Sequence, residues 1–167
     1  EVAGLAKIGP IHNQAQAVMR VLKSPETAVH LVTLLEEMPV QETADGIAEL
    51  RAARLPVGRV IVNMVRPALL DPADLELLGT VERSSVARAL SSAGLGGARR
   101  GGHAERLVDP LLEQAREYAE RYALEAEQRA VLEDLGLPLH ELPLYADGVD
   151  LAALYQMARE LRGQGVS

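Results

Sequence analysis

The hydrophobic positions of the chain form two short continuous runs separated by a stretch with helical spacing. The runs at 28–35 (AVHLVTLL) and 59–62 (RVIV) are rich in β-branched residues, which predicts strands covered on both faces. Apolar residues recur at helical spacing between them and predict a helix over about 41–53. The order strand, helix, strand predicts a βαβ unit with parallel strands and a right-handed crossover.

The N-terminal stretch has the pattern of an amphipathic helix. Gly9-Pro10 interrupts it, because proline has no amide proton to continue the helical ladder. From Ile11 onward, the apolar positions predict one buried helix face formed by Ala15, Val18, Met19 and Leu22.

The rest of the chain is mostly helical in pattern. Asp71-Pro72 predicts a helix through about Glu82, and a short helix is expected over 86–90. Asp109-Pro110 predicts the start of a long helix that ends before Gly136, with a buried stripe formed by Leu111, Ala115, Tyr118, Tyr122 and Ala126.

The C-terminal region completes the predicted fold. The segment 139–144 (LHELPL) predicts a third short strand, and Asp150 is expected to cap a closing amphipathic helix. The predicted class is α/β, with about three parallel strands, helices on both faces, and one incomplete domain over 1–167.

Composition narrows the possible functions. The 167 residues include 17 Lys and Arg against 24 Asp and Glu, for a net charge of −7, which does not favour nucleic acid or an anionic membrane as a partner. Cysteine is absent, so thiolate metal sites and cysteine nucleophiles are excluded. No apolar run approaches the ~20 residues of a membrane-spanning helix. The first residue is Glu1 and not Met, so we expect a piece of a longer protein.

Polar residues follow the first two predicted strands. In an open parallel sheet, ligands bind beyond the carboxyl ends of the strands, where Glu36 and Asn63 are expected on one edge. The Asn amide offers a donor and an acceptor that suit the edge of an adenine, and a carboxylate accepts from ribose hydroxyls. The alternative, that these are ordinary polar strand ends without a ligand, stays open at this point.

Other candidate motifs are weaker. The glycine-rich segment 94–102 (GLGGARRGG) is not a phosphate-binding loop, because no Lys-Ser/Thr follows it and no strand leads into it; a mobile loop is expected. The four histidines show no spacing typical of metal sites, and His30 and His140 are expected to be structural, hydrogen-bonded residues within strands. No metal site is predicted.

Three segments together carry a family resemblance. They resemble the C-terminal half of ArsA-type ATPases, the family of arsenite-pump and tail-anchored-protein targeting ATPases. The segments are VHLVTLLEEMPVQETADGIAEL, LPVGRVIVNMV and the tail HELPLYADGVDLAALYQMA. The resemblance extends over about 16–161 and is closest to the cysteine-poor actinobacterial branch.

This resemblance implies a part of a cytoplasmic P-loop ATPase that works as a nucleotide-gated homo- or heterodimer. It implies that Asn63 contacts adenine, that Glu36 contacts the nucleotide, and that Pro143, Leu144 and Tyr145 belong to the loop against the base. The implied cofactor is ATP or ADP with magnesium, bound mainly by an N-terminal half of the same protein. The client protein or anion is not indicated.

The sequence departs from the family in two respects. The phosphate loop and its lysine are absent from this chain, so we expect no ATP hydrolysis by it alone, and no catalytic residue is assigned. The region after Asn63 has no Cys pair, so zinc-mediated dimerisation is not expected.

Two alternatives come from other classes of protein. One is a non-enzymatic protein-interaction module that uses the long helix 110–135 and the glycine-rich segment 94–102, and the other is a small-ligand binding domain that uses the edge with Glu36 and Asn63.

Incompleteness has a consequence for the isolated chain. The predicted strand 28–35 needs neighbours on both sides and both faces, so we expect the isolated chain to expose apolar surface or an unpaired strand edge and to self-associate.

Overall fold

The computed structural model describes residues 10–95, 103–146 and 148–166. Its elements in chain order are α1 (Pro10–Leu22), β1 (Val29–Thr33), α2 (Glu37–Ala52), β2 (Val57–Val65), α3 (Pro72–Leu77), α4 (Arg83–Ser92), α5 (His103–Asp134), β3 (Leu139–Pro143) and α6 (Leu151–Gly163). The described residues form two compact units, one with residues up to Arg66 and from Gln128 onward, the other with Pro67–Glu127. The prediction of one incomplete domain stays a prediction.

The first unit holds a three-stranded parallel sheet in the order β1-β2-β3. The α/β class, the parallel βαβ unit and the number of strands are therefore confirmed. Helices flank the sheet, with α2 packed against β1 and β2, and α6 packed against β3.

One face of the sheet carries the aliphatic core. Leu31 of β1 is aligned with Val60 of β2, and Val60 with Leu139 of β3, so these side chains share a face. Val40 and Ile47 of α2 and Leu132 of α5 are each at most 1% exposed in this cluster.

A β-bulge sets the register between the first two strands. Val29 is aligned with Val57, but Leu31 is aligned with Val60, so β2 contains one extra residue in this interval. The amide of Arg59 donates to Nδ1 of His30 at 3.0 Å. His30 is thus a structural, hydrogen-bonded residue, as predicted.

The opposite face of the sheet is covered unevenly. His140 and Leu142 of β3 are buried, whereas Val32 of β1 is 64% exposed and His30 is exposed. In the described part of this chain the second face of β1 is therefore uncovered, which confirms the expectation that the chain exposes apolar surface and an unpaired strand edge. The prediction of a buried face on α1 is wrong, since Val18 and Met19 are 53% and 41% exposed.

The second unit is helical and corrects several predicted boundaries. α3 ends at Leu77, short of Glu82, and α4 begins at Arg83 with Glu82 as its N-cap residue. The described part of α5 starts at His103 and includes Pro110, so Asp109-Pro110 does not begin this helix. Most of the glycine-rich segment 94–102 lies outside the described residues.

The buried positions of α5 in this unit differ from the predicted stripe. They are Ala104, Val108 and Leu112, spaced four residues apart, whereas Leu111 is 42% exposed. Arg83 forms an ion pair with Asp109, with both side chains more than half exposed.

Candidate functional site

The carboxyl edge of the sheet is where the sequence places the candidate residues. Because β1, β2 and β3 are parallel, their carboxyl ends lie at the same edge. Glu36 follows β1, Asn63 lies near the end of β2, and Tyr145 follows β3.

The pairing of β2 with β3 brings four of the five candidates together. Val65 is aligned with Pro143, and the amide of Leu144 donates to the carbonyl of Val65 at 2.8 Å. This bond extends the pairing beyond the last residue of β3, so it fixes the chain that leads into Tyr145 beside the end of β2. Asn63 lies two residues before Val65 on the same strand.

Two polar atoms at this edge are buried without a partner. Among the described residues, Oδ1 of Asn63 and the hydroxyl of Tyr145 are the buried side-chain oxygen atoms that make no hydrogen bond. A buried polar atom without a partner costs roughly 1–3 kcal/mol, and natural proteins rarely leave one without a reason. The two atoms are therefore suited to polar groups of a bound molecule.

The backbone at this edge is also unusual. Met64, directly after Asn63, has a φ angle of 58° in the left-handed region, and the register of β2 against β3 shifts between Val62 and Val65. A left-handed conformation is uncommon for a residue other than glycine, and such strain is concentrated at functional sites. The sequence contains no signal for it, because methionine has no preference for this conformation.

Glu36 lies at the same edge but is arranged differently. It is the N-cap residue of α2 in an extended conformation, and its side chain is exposed and makes no capping hydrogen bond. Its carbonyl accepts from the amide of Val40 at 3.0 Å, which begins the helical ladder. The Glu36 carboxylate is thus available to a ligand, but no described hydrogen bond joins it to Asn63 or Tyr145.

The amino end of the sheet holds a second polar cluster, in which His140 is a hydrogen-bonded residue of a strand, as predicted, and Arg59 is its unpredicted partner. Nη1 of Arg59 lies 3.0 Å from Nε2 of buried His140 and 3.3 Å from the carbonyl oxygen of Gly165. Burial lowers the pKa of His140 below its usual 6.5, and the positive charge of Arg59 and then that of His30 lower it further. A neutral imidazole there can accept from Arg59.

The described residues contain neither a metal-binding cluster nor a helix that could span a membrane. No group of three or more His, Asp or Glu side chains is placed to hold a metal ion in 10–95, 103–146 or 148–166. Over the same ranges, no helix combines the length and the apolar character needed to cross a bilayer.

Proteins similar in sequence to this chain are named as ATPases. The chain is 44% identical over 171 aligned positions to the protein named ATPase BagA of Mycobacterium tuberculosis, and equally to a Mycobacterium bovis protein that carries the name "Putative ATPase". The alignments include 99% of this chain and 47% of each relative. The chain therefore spans about half the length of the curated relatives it matches. No family model matches the chain.

Proposed function

We propose that this chain supplies the base-binding edge of an ATPase of the ArsA type, whose phosphate-binding and catalytic groups lie in a further part of the protein. The observation that carries the proposal is the pair of buried atoms without partners, Asn63 Oδ1 and the Tyr145 hydroxyl, at the carboxyl edge of a parallel sheet. The relatives named ATPase support the reaction class.

The chemistry of the pair favours a purine base with an exocyclic amine. Asn63 Oδ1 is an acceptor, so an amino group can donate a hydrogen bond to it, and the Asn63 amide nitrogen can donate to a neighbouring ring nitrogen. The Tyr145 hydroxyl can donate or accept. Adenine presents this combination, whereas guanine presents a carbonyl oxygen at the equivalent ring position, which would face Oδ1 with a second acceptor.

Glu36 has a different role in this proposal. Its exposed carboxylate at the end of β1 accepts hydrogen bonds from ribose hydroxyls, and it does not act on the phosphates. The chain has no lysine-containing phosphate loop, so phosphoryl transfer needs groups from elsewhere. In this proposal magnesium ATP binds between this edge and a further part of the protein, which the resemblance to ArsA-type ATPases puts on the N-terminal side; the relatives are about twice as long as this chain, which aligns with 47% of each.

The uncovered side of β1 supports the same proposal. No described strand pairs with β1 on its outer edge, and Val32 is 64% exposed beside it. A strand and a covering element from the remaining part of a longer chain would bury this apolar surface. Until they do, the isolated chain is expected to self-associate through it.

Calorimetry on the purified chain tests the base-binding edge. ADP is expected to bind more tightly than GDP, and Asn63→Ala is expected to weaken ADP binding by about 1–3 kcal/mol, because the amide bonds to the base are lost. Asn13→Ala is the matched control, since Asn13 is exposed on α1. Equal affinities for ADP and GDP, or an Asn63→Ala chain that binds like the Asn13→Ala chain, would contradict the proposal.

A turnover assay tests the division of labour. The chain alone is expected to show no magnesium-dependent ATP hydrolysis, and the full-length protein is expected to show it. Turnover by the purified chain alone would refute the assignment of the catalytic groups to another part of the protein.

The main alternative is a binding domain for a small ligand other than a nucleotide. The same two buried atoms favour it, because they require a polar ligand but do not require phosphates. A ligand without phosphates that binds in an Asn63-dependent way, with no effect of added ADP, would favour this alternative.

A further inference from the structure

The outer edge of β3 is not bare, although β3 is the last strand of the described sheet. The amide of Val60 donates to the carbonyl of Pro138, and the amide of Leu144 donates to the carbonyl of Val65. The backbone groups of Pro138 and Leu144, which flank β3, therefore face β2. Alternate residues of a strand direct their backbone groups to opposite neighbours. The backbone groups of Glu141 therefore face away from β2, where a fourth strand would lie.

The side chain of Gln164 occupies that place. The amide of Glu141 donates to Oε1 of Gln164 at 2.8 Å, and Nε2 of Gln164 donates to the carbonyl of Glu141 at 2.7 Å. A glutamine amide offers one acceptor and two donors, so it can satisfy both backbone groups as the peptide of a neighbouring strand would. Gln164 is the C-cap residue of α6, 23 positions further along the chain.

Two further features keep this edge closed. Nη1 of Arg59 donates to the carbonyl of Gly165, which ties the residue next to Gln164 to the central strand. Pro143, the next residue whose backbone faces outward, has no amide proton to offer a new strand. By contrast, within the described residues no strand lies beside the outer edge of β1.

We propose that the last turn of α6 is a strand-edge cap, in which Gln164 closes β3 against a further strand, so that the sheet can be extended at β1 but not at β3. An unpaired edge of an open parallel sheet can pair with a strand of another copy of the chain, and the cap blocks this pairing at β3. The strand that the cap excludes is β3 of a second copy. This inference does not depend on the nucleotide site.

Residue-resolved amide hydrogen exchange tests the cap directly. In Gln164→Ala the Glu141 amide is expected to exchange roughly two- to tenfold faster, because it loses its acceptor, while the amide of Leu142, which faces β2, is unchanged. Gln156→Ala is the matched control, since Gln156 is exposed on the same helix. Unchanged exchange at Glu141 in Gln164→Ala would overturn the proposal.

Sedimentation velocity over a concentration series tests the consequence. Gln164→Ala loses both hydrogen bonds to the backbone of Glu141 and is expected to self-associate at lower concentration than Gln156→Ala. Association through β1 is common to both variants, so the difference between them reports the β3 edge. A Gln164→Ala chain that matches Gln156→Ala in mass at every concentration would show that the cap excludes nothing.

Discussion

The contact between Gly58 and His30 allows a sharp test of the β-bulge that sets the register of the sheet. A Cβ atom at position 58 would lie 2.6 Å from both Cε1 and Nδ1 of His30, and 3.2 Å from the Cβ of Ala28. In Gly58→Ala the exposed imidazole must therefore move away, and the Arg59 amide loses the acceptor it now has at 3.0 Å.

The expected energies follow from these contacts. The lost hydrogen bond costs about 0.5–1.5 kcal/mol, because water can replace part of it at this exposed position. Replacing glycine by alanine recovers about 0.4–1 kcal/mol by restricting the unfolded chain, since the backbone of Gly58 is not in the left-handed region. Gly58→Ala is thus expected to be neutral or to destabilise by up to about 1 kcal/mol.

The double mutant of Gly58→Ala with His30→Ala separates the cost of the lost hydrogen bond from the gain that comes from restricting the unfolded chain. His30→Ala alone should cost about 0.5–1.5 kcal/mol, because it removes the same hydrogen bond. In that background the imidazole no longer blocks position 58 and only the Cβ of Ala28, 3.2 Å away, still crowds it, so Gly58→Ala should now be neutral or stabilising. Each single mutant loses the hydrogen bond between His30 and the Arg59 amide, whereas the double mutant loses the same bond only once. The coupling energy between the two substitutions is therefore about −0.5 to −1.5 kcal/mol.

Urea denaturation followed by far-ultraviolet circular dichroism is the suitable assay, since the chain has no tryptophan to report by fluorescence. Gly163→Ala serves as the control, because nothing lies within 4 Å of a Cβ at that position of α6. Its effect should be the same with and without His30. Additivity of Gly58→Ala and His30→Ala within about 0.3 kcal/mol would refute the assigned role of His30 in the bulge.

Three further predictions concern the core, a helix cap and pH. Leu132→Ala should destabilise the chain by about 2–5 kcal/mol in urea denaturation, because the side chain is fully buried, whereas the half-exposed neighbour Val131→Ala should cost much less. Asp150→Ala should cost about 1 kcal/mol by loss of the N-cap bond of α6, and Asp150→Asn should restore most of it. Because the pKa of buried His140 is lowered in the folded state, the stability linked to this group is fully present above about pH 6.5 and should be lost as pH falls from there toward the folded-state pKa, since protonation would place a charge on a buried imidazole and a second cation beside Arg59. His140→Gln should flatten the dependence of unfolding free energy on pH between 5 and 7, and an unchanged slope would contradict the assignment.

The strands were predictable from the sequence because their signals are local. Two β-branched runs with a helix between them can form a parallel βαβ unit, and the structure confirms that unit. Asp150 as the cap of the last helix is confirmed for the same reason, since its bond reaches only three residues along the chain. Predicted helix boundaries were wrong where burial of side chains in the folded protein outweighs the local preference of a residue for a helix end. Pro110 marks a helix start in isolation, but Ala104 and Val108 are buried on the same helix before it.

The candidate site was predictable in part. Parallel strands place the residues after β1, β2 and β3 at one edge, so the shared location of Glu36, Asn63 and Tyr145 follows from topology. The burial of two polar atoms without partners does not follow from it, because that depends on how β2 and β3 pair beyond Val62. The side-chain cap on β3 could not be predicted for a similar reason, because nothing in the local sequence around Gln164 indicates that its side chain bonds to a strand.

The bulge connects these observations. Without the extra residue of β2, Leu31 would align with Arg59, and the buried side chains of β2 would fall on the face opposite to those of β1. With it, Leu31 aligns with Val60 on the core face, and the alternation of the strand directs the side chain of Asn63 to the other face. The acceptor at the carboxyl edge is therefore held off the aliphatic core by an irregularity four residues earlier, which the imidazole of His30 stabilises through the Arg59 amide. Asn63 Oδ1 is thereby buried on the face opposite to α2 and the aliphatic core, where it has no hydrogen-bond partner.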